Sequence, residues 1–237
     1  MLATNHIMTL RISDSQMGML KELYRSDEKR LNVIIAGMPG SGKSFFIEHS
    51  LKQYLQKSRL KNERFVYITP KNESILGMEI TPMDKFEKAF SKERIVVLAP
   101  EMEDLEADVD YIINHVFEVR EVNEDMTAVV IIDDSQIFLE SQGKVTPAIK
   151  RLALTGRSRG IRGIFVSHTM ILNKKLEGSV QYILNFTLPQ PMFFKDAVKR
   201  FGFDPEPHQE ELRKTEYGYI WHDVFKGETR LMQPLDP

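Results

Sequence analysis

An α/β fold with a central, mainly parallel sheet flanked by helices is what this sequence predicts, on three observations. Short apolar runs rich in Val and Ile alternate with stretches whose apolar residues recur at helical spacing. The runs are apolar throughout rather than at every second position, as strands covered on both faces must be. One run ends in a glycine-rich turn leading into an amphipathic helix, and a later one ends in paired aspartates. At 237 residues the chain is long enough for one such domain and short for two.

Residues 1–30 read as an N-terminal extension and residues 31–237 as the main domain. Met17, Leu20, Leu23 and Tyr24 predict a small amphipathic helix in the extension. Leu31–Gly37 (LNVIIAG) is a buried strand by length and branching. Ile47, Leu51, Tyr54 and Leu55 mark a helix from about Lys43 to Lys57. Phe65–Thr69, closed by Pro70, and Arg94–Ala99, closed by Pro100, are further strands; Phe86, Ala89 and Phe90 suggest a short surface helix between them. Leu105, Val109, Ile112, Ile113 and Val116 mark a long amphipathic helix. Ala128–Asp133 is a strand ending in carboxylates, and residues 145–155 form a helix stopped at Gly156. Gly163–Ser167 and Tyr182–Leu188 are strands, and the segments flanking Lys226-Gly227 pair as a terminal hairpin.

Hydrophobic and charged shares of 42% and 28% are those of a soluble globular protein. The absence of cysteine excludes disulfides and thiolate zinc sites, and fits a reducing compartment. The start MLATNHIMTLRIS lacks the basic-then-apolar order of a secretory signal, and no window approaches a membrane span. Charge is segregated. Glu101–Asp125 holds ten acids against Arg120, and Ser141–Arg200 holds eleven Lys/Arg against Glu177 and Asp196. Two solvated faces account for this, as does a basic surface for phosphates beside an acidic one for a neighbouring subunit.

Gly37-Met38-Pro39-Gly40-Ser41-Gly42-Lys43-Ser44 fits G-x-x-x-x-G-K-[ST] at every fixed position, between a strand and a helix as the motif requires. Glycines let the backbone turn its amides onto phosphate oxygens, and the helix adds its positive end. Lys43 is expected on the β and γ phosphates and the Ser44 hydroxyl on Mg2+, with Phe45 next in the nucleotide-contacting set. Asp133, ending a buried strand, is expected to hold Mg2+, and Asp134 to polarise the attacking water.

With both motifs placed, the chain resembles the FtsK–HerA superfamily of DNA-pumping ATPases. Within it, the chain is similar to the viral genome-packaging ATPases of poxviruses, giant viruses and membrane-containing icosahedral viruses. The resemblance covers roughly residues 31–190 and rests on GMPGSGKS, VVIIDDS, RLALTGRSRGIRGIFVSHT and SVQYILNFTLP. It implies a P-loop NTPase fold of RecA/ASCE type, ATP as the nucleotide, and a homo-oligomeric ring moving double-stranded DNA by non-specific backbone contact. A capsid vertex protein becomes a candidate partner, and the host cytoplasm or the virion the location; outside a viral setting, the cytoplasm. Ser167 and His168 compete as sensor of the γ-phosphate, with His168 preferred. Of the cluster Arg151, Arg157, Arg159 and Arg162, either Arg157 or Arg159 is the finger reaching a neighbour's nucleotide. Lys144, Lys174 and Lys175 are loop candidates for DNA contact. Two departures stand out: Asp134 occupies a place usually held by glutamate, and the sensor is often glutamine. Rival readings are a small-molecule P-loop kinase and a nucleotide-gated morphogenesis factor.

Overall fold

The Val- and Ile-rich runs pair side by side into one eight-stranded sheet. This computed structural model describes residues 14–27, 31–71, 75–137, 145–170, 173, 176–188 and 191–234. The parallel strands are β1 (Asn32–Ala36), β2 (Glu63–Ile68), β3 (Ile95–Leu98), β4 (Thr127–Ile132), β5 (Ile161–Ser167) and β6 (Val180–Asn185). β7 (Tyr219–Asp223) and β8 (Glu228–Met232) form the terminal hairpin and extend the sheet antiparallel to β6. The order across the sheet is β3-β2-β4-β5-β1-β6-β7-β8.

Helices α1 (Asp14–Tyr24) and α2 (Lys43–Lys57) cover one face. The other carries α3 (Phe86–Lys92), α4 (Leu105–Val122), α5 (Pro147–Thr155), α6 (Pro191–Phe201) and α7 (Gln209–Lys214). Each strand feeds both layers by alternation. Val33, Ile35, Phe65, Tyr67, Val129 and Ile131 join the α1/α2 core, whereas Ile34, Ala36, Val66, Ile68, Val130 and Ile132 join the other. Burial on both faces is why these strands read as unbroken apolar runs.

The expected strands and helices are present with small shifts at their ends. α6 and α7 are additions the sequence pattern did not announce. The run Tyr182–Leu188 stops being a strand at Asn185, and its remainder turns to hold the loop after β1. There Phe186 N–H donates to Ala36 O at 2.7 Å, and Met38 N–H to Thr187 O at 2.8 Å.

Arg162, one of the clustered arginines, is fully buried in β5. Its Nε donates to Leu31 O at 2.6 Å, and Nη1 donates to Leu23 O at 2.8 Å and also to Glu22 O. The guanidinium thus caps carbonyls at the C-terminal end of α1 and lies over the Tyr182 ring, 5.6 Å from its centroid. Arg162→Ala leaves those carbonyls buried and unmet, a loss of about 3 kcal/mol and about 6–12 °C in Tm. Thermal melting, with limited proteolysis to detect release of α1, checks this; a melting point within about 2 °C of the parent excludes the clamp.

Candidate functional site

The loop between β1 and α2 is shaped by glycines with positive φ. Gly40 has φ 76° and Gly42 φ 96°, left-handed values that side chains disfavour. Gly37 has no room for a side chain: a Cβ there meets Phe186 Cβ at 2.6 Å. Helix α2 opens without a side-chain cap and without an acid in its first turn. Its first amides and its positive end are therefore left to an external anion. Ser41 Oγ is buried with no hydrogen-bond partner among the described residues, which suits the same ligand class.

Lys43, only 6% exposed, folds back over this loop. Its ammonium donates to Gly37 O at 2.6 Å and Met38 O at 3.0 Å, and faces His168 Nδ1 at 3.4 Å. Burial pulls its pKa from 10.5 down to about 8, against the opposing pull of Asp133 and Asp134.

The carboxylates sit two strands away, just past β4. Asp133 is buried; its Oδ1 accepts from Asp134 N–H at 2.9 Å and its Oδ2 from the Tyr67 phenol at 3.3 Å. Burial, then the neighbouring Asp134 charge, push the Asp133 carboxyl above its ordinary range; Lys71 and these hydrogen bonds work the other way. Asp134 adopts φ 49°, a left-handed conformation for a residue with a side chain. That twist turns consecutive residues of one strand end into a buried carboxylate and a half-buried one.

His168 joins the two halves. It follows directly on β5, which lies between β1 and β4 in the sheet. Its Nε2 is 2.9 Å from Asp134 Oδ1, and its Nδ1 faces Lys43. One neutral tautomer serves both contacts, with Nε2–H donating to Asp134 and Nδ1 accepting from Lys43. Ser167, the rival sensor, is buried; its carbonyl accepts from Gly37 N–H at 3.2 Å and its hydroxyl from Thr169 N–H at 3.2 Å. Its side chain therefore braces the strand end, and its carbonyl the loop.

Three residues escaped the sequence reading. Tyr67 bonds Asp133, Gln136 Nε2 donates to Asp134 Oδ1 at 3.3 Å, and Lys71 Nζ stands 4.0 Å from Asp134 Oδ2. Gln136 Oε1 also accepts from the His168 N–H at 3.3 Å, so it fixes both.

Among the described residues no group of three or more His, Asp or Glu could hold a metal ion. Asp133 and Ser44 offer the hard oxygens that Mg2+ takes when phosphates and water supply the rest, so the donor set fits that ion alongside a phosphate ligand.

The arginines fall elsewhere. Arg157 and Arg159 are exposed on a 3-10 turn, Arg157–Arg159, between α5 and β5. That turn is at the edge where β5 begins, with seven strand residues between it and His168. At about 3.3 Å per residue this is about 20 Å, beyond reach of the same chain's loop. Arg151 pairs with Glu121 at 3.0 Å and lies 4.1 Å over Phe117, so it braces α5 on α4. With Arg162 buried as well, the basic run is not one surface. Lys144, Lys174 and Lys175 lie outside the described residues.

The lowered Lys43 pKa has a definite sign. Below about 8 the ammonium is charged in the free protein; above it the charge is lost. Anion affinity is therefore full below this value and falls above it, and anion binding at higher pH takes up a proton. With sulfate, which does not titrate in this range, affinity near pH 9 is expected to be about tenfold below that near pH 7. Calorimetry in buffers of differing ionisation enthalpy reads both effects, and a flat profile contradicts the assignment.

No family model matches the sequence, and no curated protein does. Solved structures do match. The genome-packaging NTPase of Sulfolobus turreted icosahedral virus 2, in complex with sulfate, superposes with a TM-score of 0.71 at 18% identity, over 87% of this chain and 97% of that one. The DNA-packaging ATPase of Sulfolobus turreted icosahedral virus gives 0.66 at 19% identity, over 89% and 100%. The cytoplasmic domain of the type VII secretion ATPase of Thermomonospora curvata gives 0.61 at 14% identity, over 88% of this chain and 26% of that one. The chain therefore has the mostly parallel α/β fold of a RecA/ASCE-like P-loop NTPase, shared nearly end to end with viral genome-packaging NTPases.

Proposed function

We propose that this chain is an ATP-hydrolysing DNA translocase that packages a double-stranded DNA viral genome into a preformed capsid. The observation that carries this is the convergence of Lys43, His168 and Asp134 at the loop Gly37–Ser44, in a fold shared with a genome-packaging NTPase over nearly the whole of both chains. That NTPase has also been solved with AMPPCP and with ATP-gammaS. In this reading residues 31–237 are the ATPase domain and residues 1–30 its N-terminal extension.

The triphosphate lies along the amides of Gly40–Phe45, and Lys43 exchanges the Gly37 and Met38 carbonyls for β- and γ-phosphate oxygens. Asp133 and Ser44 would hold Mg2+, which would supply charge neutralisation to the phosphates. Asp134 releases His168 and takes a hydrogen bond from the lytic water. The water oxygen bonds to the γ-phosphorus, the bond to the ADP oxygen breaks, and Asp134 receives or relays the water proton. His168, freed, donates to the γ-phosphate and so reports its presence back to the Asp134 end of the sheet.

Arg157 and Arg159 belong to a neighbour's site, because their own loop is out of reach. One of them, supplied in trans, would give the planar fork that stabilises the transferring phosphoryl group. This favours a homo-oligomeric ring around DNA, mounted on a capsid vertex protein and working in the host cytoplasm or on the virion. Among the described residues no helix is long and apolar enough to cross a membrane.

DNA-stimulated ATP turnover by a ring tests the function; no stimulation and no assembly at high protein concentration would sink it, and phosphate transfer to a small acceptor would favour a kinase. Lys43→Ala is expected to abolish turnover. Asp134→Asn should keep ATP binding and slow hydrolysis by about a hundredfold or more, whereas unchanged turnover places the base elsewhere. Arg157→Ala or Arg159→Ala subunits mixed with parent subunits should poison activity out of proportion to their fraction. A strictly linear decline argues against a finger in trans.

A further inference from the structure

At the end of α2 away from the phosphate loop, about 20 Å along the helix from Lys43, a cavity of about 470 Å³ lies between α1 and α2. Met17, Tyr54 and Leu60 form its apolar wall, and Leu60 is 46% exposed. Lys21, Arg25, Lys57 and Arg59 line it as well and are exposed, so their aliphatic stems extend that wall. None of the described residues that line it is acidic. These cations are not needed by the helix ends they flank. Arg94 Nη1 donates to Leu55 O at 2.8 Å and Ser58 O at 3.2 Å at the end of α2, and Arg162 caps the end of α1. The nearby carboxylate of Glu63 is taken up as well. It is buried and accepts from the Tyr54 hydroxyl at 2.6 Å, the Ser58 hydroxyl at 2.8 Å and Arg94 Nη2 at 3.0 Å. Asp27 stands 3.7 Å from Arg25 Nε, whereas Lys21, Lys57 and Arg59 pair with no acid among the described residues.

An apolar hollow inside a ring of like charges has the anatomy of a recognition site, with an apolar centre and a charged rim. Its occupant must bring negative charge and, between its charges, an apolar group small enough for the hollow. Duplex DNA brings only the first, because its phosphates lie on the outside of a rod too wide to enter. Tyr54, 1% exposed, offers no face on which an unpaired base could stack. Residues 1–13 of this chain contain no Asp or Glu and so supply no counter-charge. We infer that the cavity docks an acidic peptide segment of a partner protein. One apolar side chain of that segment seats against Met17, Tyr54 and Leu60, between carboxylates that meet Lys21, Arg25, Lys57 and Arg59. This assignment is independent of the nucleotide reading. The cavity and the phosphate loop lie at opposite ends of α2, so a partner held here leaves the loop open.

Fluorescence anisotropy of the full chain with a labelled peptide, a phenylalanine between runs of glutamate, tests it. The comparison probes are the same peptide with serine in place of phenylalanine, polyglutamate, and duplex DNA. The phenylalanine peptide is expected to bind about tenfold or more tightly than the serine one, and to lose about tenfold or more in the double variant Lys57→Glu/Arg59→Glu. Leu60→Ser is expected to weaken the phenylalanine peptide and leave the serine peptide unchanged, a pattern that loss of folding would not give. All three substituted positions are exposed, and melting curves check that the variants fold. If both peptides and polyglutamate bind alike, the apolar wall plays no part and the inference fails. It fails equally if duplex DNA binds as tightly as the phenylalanine peptide and loses as much in the double variant, or if that peptide does not bind at low salt. If the chain associates with itself and either the peptide or the double variant abolishes that association, the occupant is a second copy and a foreign partner is excluded.

Discussion

An ammonium that is nearly buried against two carbonyls of its own loop and one imidazole nitrogen costs free energy that hydrogen bonds only partly offset. Lys43 is in that position, and the lowered pKa is its measure. The cost is met locally: Asp133 and Asp134 pull the charge back, and they stand near only because β4 ends two strands from β1. Asp133 is itself raised, by burial first and then by the neighbouring Asp134 charge. Lys43 and Asp133 are thus two buried groups of opposite sign, each disfavoured by burial, the condition under which ligands become decisive.

The strand order converts this into a connected path. β5, inserted between β1 and β4, delivers Ser167 beside Ala36 and His168 one residue farther on. An imidazole is wide enough to bridge from Lys43 to Asp134, and its two nitrogens permit one donor and one acceptor at once. A glutamine at the same place would also offer both, as the terminal amide of Gln136 does for Asp134 and the His168 amide. Asp134, at positive φ, presents its carboxylate to the histidine at 2.9 Å.

Much of this was legible in the sequence because it is local. Gly37–Ser44 and the helix Lys43–Lys57 follow from backbone sterics and apolar spacing within one stretch of chain, and the Asp133-Asp134 strand end from a run of branched residues. What was illegible depends on pairing between distant strands. Tyr67 reads as an ordinary β-former until β2 is laid against β4 and its phenol meets Asp133. Lys71 follows a proline on a surface turn and gains meaning only from Asp134 across the sheet. Arg162 illustrates the opposite failure. Its charge grouped it with solvent-facing arginines, yet the strand alternation carries it to the α1 face, where helix-end carbonyls replace water. Sequence gives the sign of a charge; burial is decided by which face of which strand it occupies.

The free protein is therefore not an open site waiting for contacts to form. Lys43, His168 and Asp134 already satisfy one another, so an anion at the loop would gain affinity only by the difference between its interactions and those it displaces. In the proposed function, the same exchange would tie chemistry to occupancy. Release of His168 would free Asp134 Oδ1 for a water, and an acceptor arriving beside Lys43 would draw the imidazole away. A γ-phosphate would be such an acceptor. In the proposed reading such a site would discriminate by the reach of the ligand along the loop, while the turn that carries Arg157 and Arg159 lies at the far end of β5.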